Sequence, residues 1–365
     1  MQALKGKIDK LCMKQGVPYM DILCYRENDL IFSYSFGEKG DGEEYLQMYS
    51  CSKPITALAA MILIEKGKMF LDDMVEKYLP EVSNAFLLNS FGEKVAPKNK
   101  MTIRHLLTMT AGFSYNMQTD PIQALIRKNK HAKLRDFIAA FVESPLSFEP
   151  GEQFQYSLCY DVLAAVIEVA SGKSFSAFVQ ETIFKPLDMQ KSFFDNQRCP
   201  LLEMYIADAN GYVQLTDNKN YLLCTEEYQS GGAGLVCTLK DYSIFAQMLA
   251  NGGISLNGIR IVGEEVLRDM VSEQIEEMSI KNQFTCIQGE EYGYGFGVRV
   301  RRTETEWGLP KGEFGWDGAA GSYLMVDPVH KISIVIGMNV RAWPFIFENK
   351  HLEIVKYIYE NFLIK

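Results

Sequence analysis

The chain has 365 residues, 47% of them hydrophobic and 23% charged, so it is long enough for a substantial core in one large domain or two. A net charge of −9 argues against nucleic acid or an anionic membrane as the main partner. No apolar run approaches the roughly 20 residues of a membrane helix, and the N-terminus lacks a signal-peptide core. These features predict a soluble, cytoplasmic protein and leave its oligomeric state open.

The first ten residues read as a short amphipathic helix. Two strand-like runs, 19–27 and 30–36, are joined by Asn28-Asp29, a hairpin signal. A helix then starts near Ser50. Pro54 suits its first turn, residues 57–64 are apolar on every side as in a buried helix, and Gly67 ends it. From about 71 to 251 the pattern is mainly helical. Thr102 caps a helix through Leu107, 134–142 is periodic, and 161–170 ends at Ser171-Gly172. Thr238-Leu239-Lys240-Asp241 reads as a capping box ahead of 242–249, which stops at Asn251-Gly252-Gly253. Strands return late: 292–300 and 331–339 alternate, 322–326 is apolar, and 352–363 closes the chain as a helix. Strands at both ends with helices between predict an α+β fold, one sheet built from both termini with a helical domain inserted.

Ser50-Cys51-Ser52-Lys53 is the stretch with chemical content. Residues three apart share a helix face, so the Lys53 amine reaches the Ser50 oxygen while Ser52 points elsewhere. A serine hydroxyl becomes a nucleophile when a base takes its proton, and a buried lysine gives up its own proton more readily than an exposed one. A helix N-terminus adds amides and partial positive charge where an oxyanion would form. The eight cysteines (12, 24, 51, 159, 199, 224, 237, 286) include no C-x-x-C pair and the four histidines (105, 131, 330, 351) are scattered, so no metal or cofactor is expected. Cys51 and Cys159 flank proposed catalytic groups and read as small packing residues. The glycines of 231–234 read as a tight turn with close backbone approach, since no P-loop lysine accompanies them.

These regions together resemble the serine β-lactamase and penicillin-binding-protein superfamily, in its class C β-lactamase-like branch of β-lactamases, D-Ala-D-Ala carboxypeptidases, D-aminopeptidases and esterases. The resemblance rests on Ser50-Cys51-Ser52-Lys53, on Thr102-Ile103-Arg104-His105-Leu106-Leu107 continuing to Gly112, and on Phe148-Glu149-Pro150-Gly151 with Tyr156-Ser157. It continues through residues 231–238, Asp241-Tyr242 and Trp316-Asp317-Gly318-Ala319-Ala320-Gly321. It implies a β-lactamase/D,D-peptidase-like antiparallel sheet with flanking helices, formed by 1–70 with 285–365. The mainly helical domain is then 71–284, with the active site in the cleft between the two. It also implies an acyl-enzyme: Ser50 attacks a carbonyl, Lys53 and Tyr156 shuttle its proton, and water releases the acyl group. The oxyanion hole would be the Ser50 and Ala319 amides, with Gly318 allowing close approach. His105 belongs to a helix-start signature and reads as structural.

Two positions depart from the family pattern. The second motif commonly ends in asparagine, where this chain has Leu158; the third commonly reads Lys-Thr-Gly or His-Thr-Gly, where it has Trp316-Asp317-Gly318. An indole and an anion there would repel a substrate carboxylate rather than bind it, and esterase-like members tolerate tryptophan in the first position. Asp317 either contacts substrate or only caps a turn or pairs with an arginine; Tyr115 either lines the cleft or packs. The reading is a serine hydrolase acting on a small neutral ester, amide or peptide, esterase-like. A β-lactamase, D-Ala-D-Ala carboxypeptidase or D-aminopeptidase is the alternative within the class, and a slow-turnover penicillin-binding or ligand-sensing protein the alternative outside it. Loops at 85–100, 113–120 and 280–290 are expected to wall the cleft.

Overall fold

Burial on both sides of the first strand sets the architecture. Met20, Ile22 and Cys24 are buried on one face of β1 (Met20–Arg26) and Leu23 on the other, so helices must cover both. The computed structural model describes residues 2–37, 40–194, 199–208, 210–275, 289–342 and 350–362. After β1 come β2 (Asp29–Phe36) and β3 (Tyr45–Gln47). The middle of the chain contributes β4 (Val236–Thr238). The C-terminal part holds β5 (Tyr292–Tyr294), β6 (Arg299–Arg301), β7 (Phe314–Asp317), β8 (Tyr323–Asp327) and β9 (Ile332–Met338). Seven of these form one sheet in the order β5-β6-β7-β8-β9-β1-β2. Every pair in it is antiparallel, and β1 joins the two chain ends by pairing with β9, Met20 opposite Met338. The sheet built from both termini is therefore present.

One face is covered by α1 (Gln2–Gln15) and the last helix, Lys350–Phe362, where Leu4, Ile8, Ile354 and Ile358 pack on Ile22, Ile334 and Ile336. The other face packs Leu23, Leu324 and Val335 into the main core with α2 (Ser52–Glu65). The middle of the chain adds α3 (Ile103–Leu107), α4 (Asp120–Lys128), α5 (Leu134–Val142), α6 (Cys159–Ser171) and α7 (Leu239–Ala250) to that core. Ser52 through Leu63 is buried without a break, as the uniformly apolar helix requires. Among the described residues no single helix is long and apolar enough to cross a membrane.

Several boundaries differ from the sequence reading, each for a local reason. The first hairpin turns at Glu27-Asn28 rather than Asn28-Asp29, because Arg26 pairs with Asp29 and Glu27 takes the positive φ of 53°. Residues 292–300 make two strands, not one. Gly297, at φ +77°, turns the chain, and the Gly295 amide donates to Val298 O. A Cβ on Gly297 would lie 2.8 Å from Tyr160 Oη and 3.0 Å from Lys53 O, so that turn seats directly on α2. The mainly helical stretch also holds hairpins, Leu87–Leu88 with Lys94–Val95 and Met204–Ala207 with Val213–Thr216. Thr238 caps α7 by accepting from the Asp241 amide, but only half of the box forms. The Asp241 carboxylate accepts instead from the Lys191 amide and the Ser192 hydroxyl. At α3 the His105 ring closes a box, Nδ1 accepting from the Thr102 amide, which accounts for this histidine structurally. Cys286, Leu363, the 284/285 boundary and most of the 280–290 loop lie outside the described residues.

Candidate active site

The turn before α2 presents the nucleophile candidate. Residues Tyr49–Cys51 form a 3₁₀ turn and the α-helix proper begins at Ser52, two residues later than the motif suggested. Tyr49 holds φ +46°, a conformation costly for an aromatic residue and found at constrained sites. Ser52 is wholly buried; its hydroxyl donates to Tyr49 O and accepts from the Leu235 amide at 3.0 Å. Ser50 is 8% exposed, and Lys53, at 0%, donates from Nζ to Ser50 Oγ at 3.0 Å and to Gly232 O at 2.8 Å. Ser50, not Ser52, is thus the hydroxyl in contact with Lys53.

Three aromatic rings line the same place. Tyr156, in the irregular segment before α6, stacks between Tyr115 (centroids 5.6 Å apart) and Trp316 (5.9 Å). Its hydroxyl accepts from Trp316 Nε1 at 3.4 Å. The Lys53 Nζ lies 4.6 Å from the Tyr156 ring centroid, so the ammonium site faces the π-cloud. Among the described residues no hydrogen bond joins the Tyr156 hydroxyl to Ser50 or Lys53. The turn 231–234 completes the wall: Gly231 O accepts from Thr56 Oγ1. A Cβ on Gly232 would sit 2.8 Å from Asp161 Oδ2 and 3.6 Å from both Lys53 Nζ and Tyr115 Oη. Close backbone approach is what that glycine run supplies.

The third motif sits on β7 and the turn after it. Trp316 is buried and meets Tyr294 edge-on at 5.3 Å. Asp317 is one-fifth exposed, with Arg299 Nη1 at 3.7 Å and His351 Nδ1 at 3.9 Å. The arginine pairing left open by the sequence is thus present, and it tempers the anion. Arg299 and Arg301 in turn clasp the buried Glu313 from either side, each at 3.3 Å. In the following turn the Gly318 amide donates to Ser322 O and the Gly321 amide to Gly318 O, while Ala319 is exposed. A Cβ on Gly318 would come within 2.3 Å of Met48 O, so only glycine lets this turn touch the segment that carries Ser50.

Leu158 is drawn into the core, 5% exposed, with its amide donating to Ser114 O. It lines a small hollow together with Phe113, Ile122 and Phe141 and with the polar Ser114, Asn116 and Ser144. Asp161, read from sequence only as the start of a helix, is a site residue that was missed. It is 1% exposed, its Oδ1 accepts from Tyr228 Oη at 3.1 Å, and Ser230 and the Gly232 amide also engage it. Burial pushes its carboxyl up while the neighbouring Lys53 pulls it down. An acid in a helix's first turn ordinarily signals the dipole, and nothing local distinguishes this one. Burial raises the Cys51 and Cys159 thiols to about 12 and about 11, so both are inert packing groups. Among the described residues no cluster of His, Cys, Asp and Glu is arranged to hold a metal.

A family model described as Beta-lactamase matches residues 4–356. Esterase EstB of Burkholderia gladioli is 26% identical over 348 residues, covering 87% of this chain and 83% of the esterase. Among solved structures, EstCE1, described as a hydrolase with promiscuous acyltransferase activity, superposes with TM-score 0.80 at 24% identity over 98% of both chains. Simvastatin synthase LovD of Aspergillus terreus does so with TM-score 0.82 at 18% identity, over 100% of this chain and 98% of LovD.

Proposed function

The chain belongs to the Beta-lactamase family, and on that footing we propose that it is an esterase-like serine hydrolase of the class C branch, working through an acyl-enzyme on Ser50. The observation that carries the reading is the 3.0 Å contact between the buried Lys53 Nζ and Ser50 Oγ. Ser50 Oγ bonds to the substrate carbonyl carbon as its proton passes to the Lys53 amine. The oxyanion is met by the Ser50 and Ala319 amides, which Gly318 brings near. As the carbonyl re-forms, the bond to the leaving alcohol or amine breaks and that group takes the proton from Lys53; a relay through Tyr156 would require its hydroxyl to turn from Trp316 toward Lys53 once substrate is bound. Water then adds to the acyl carbon, Ser50 Oγ leaves and recovers a proton, and the acid departs. Asp161 has a positioning role in this reading, supported by its place against Gly232, whose carbonyl accepts from Lys53.

Neutral substrates are favoured because Trp316 and Asp317 stand where the family pattern has a cation and a hydroxyl. The Burkholderia esterase supports that choice within the family. The buried Leu158 favours a second reading, slow release of the acyl group, since the amide that contacts lysine and substrate in the pattern is missing. Fluorophosphonate labelling mapped by mass spectrometry should place the adduct on Ser50. A panel of p-nitrophenyl esters, a chromogenic cephalosporin and D-Ala-D-Ala peptides should show sustained turnover fastest on a short neutral ester. An adduct on Ser52 sinks the mechanism, a burst without turnover selects the slow-release reading, and a faster cephalosporin makes the protein a β-lactamase.

A further inference from the structure

A second concavity, of about 760 Å³, opens between α4, the turn that follows it, and the segment 218–228. Small-molecule sites span about 300–1,000 Å³, so it can take a ligand of ordinary size. Its interior is apolar, walled by Phe194, Leu201, Leu223, Cys224 and Tyr228. Asn220, the side-chain oxygen of Asn218 and the Thr225 hydroxyl, which share those walls, already have partners. Asn220 Nδ2 donates to Ala233 O at 2.9 Å and its Oδ1 accepts from the Leu222 amide at 3.1 Å. Asn218 Oδ1 accepts from the Met204 amide, and the Thr225 hydroxyl donates to Ala132 O. A polar ligand body would lose its hydration there without replacement.

The mouth has the opposite character. Arg127, Lys130 and Lys219 line it, all exposed, and among the described residues no ion pair ties them to an acid. Glu226 is the acid on the rim, and His131 is held 3.7 Å from Glu227. Three exposed cations, of which Lys219 also lies over the Tyr221 ring and acts on Asp217, outnumber the nearby carboxylates and on a chain of net charge −9 make a local field that attracts anions. We propose that this cavity binds an amphipathic anion, its hydrocarbon body inside and one carboxylate, sulfate or phosphate head at Arg127 and Lys130. The site goes beyond the hydrolase reading and does not require Ser50 to react. Tyr228 lines this cavity and its hydroxyl donates to Asp161, which links the cavity wall to the candidate active site.

Isothermal titration of the whole protein with decanoate, decyl sulfate and decanol, each below its micelle or solubility limit, tests the assignment. One equivalent of either anion should bind at least ~10-fold more tightly than the alcohol, and added salt should narrow the gap. Arg127→Glu with Lys130→Glu, both exposed and safe for folding, should weaken decanoate about tenfold and leave decanol unchanged. Leu223→Trp should block all three by filling the interior. Decanol binding as tightly as decanoate, a charge-reversed protein that binds as wild type does, or no binding at all overturns the proposal. Ser50→Ala should bind like wild type, so these heats stand or fall independently of the labelling at Ser50.

Discussion

At the residue scale the decisive distance is that between an amine and a hydroxyl three positions apart. In the proposed mechanism Lys53 takes a proton from Ser50, which a guanidinium cannot do. Lys53→Arg retains charge and most of the volume, yet acylation measured under single-turnover conditions should fall by ~10²-fold or more. The melting temperature, recorded alongside, separates this loss from misfolding. Near-native acylation would make Lys53 a structural cation and shift the base role to Tyr156 or water. The pair was legible because residues three apart meet on one side of a helical turn, whether 3₁₀ or α. The orientation of Tyr156 was not, because its ring is fixed by Tyr115 and Trp316, residues 41 positions before it and 160 after it in the chain.

At the scale of elements, the turn after β7 and the 3₁₀ turn before α2 are held together by backbone contact. Ser322 Oγ donates to Met48 O at 2.8 Å, and Gly318 lies against the same carbonyl. In Gly318→Ala the new methyl would meet Ser322 Oγ at 1.9 Å and Met48 O at 2.3 Å, so one turn must move away from the other. A shift of that kind at the proposed oxyanion hole should cost kcat on the order of 10²-fold, with a smaller change in KM. Steady-state kinetics on a neutral ester decide it, and an unchanged kcat would show that the turn takes no part in the reaction. Element boundaries were readable wherever a cap or break is local, as at Thr102, Gly67 and Thr238. They failed at 292–300, where alternating glycines mimic a strand and hide the turn at Gly297.

At the scale of the whole molecule, the last helix returns to the site and buries His351 against Tyr323, with ring centroids 4.7 Å apart. Burial pushes this imidazole from its ordinary 6.5 down to about 4, although Asp317 draws it the other way. The unfolded chain therefore takes up a proton more readily than the folded one between those values. Stability is complete above pH 6.5 and falls as the pH drops toward 4, by on the order of 3 kcal/mol at the acid end. His351→Phe keeps the ring contact and removes the proton site. Urea unfolding at pH 7.5 and pH 4.5 should show a smaller acid loss in the variant. Buried acids such as Glu313, raised by desolvation, act in the opposite direction in both proteins and cancel in the comparison. Equal acid losses would mean that His351 is not the group responsible.

The sequence by itself determined what depends on short-range period and spacing: which stretches at the two ends are strands, the buried helix, and the serine and lysine three residues apart. Those follow from backbone geometry, which acts over a few residues. Only the tertiary structure decided the remainder. It buried Leu158 and Asp161, turned the Tyr156 hydroxyl toward Trp316, placed Arg299 beside Asp317, and set cations at the mouth of an apolar cavity. Each of those is a question of which distant groups share a low-dielectric space, and that is settled by packing rather than by position along the chain.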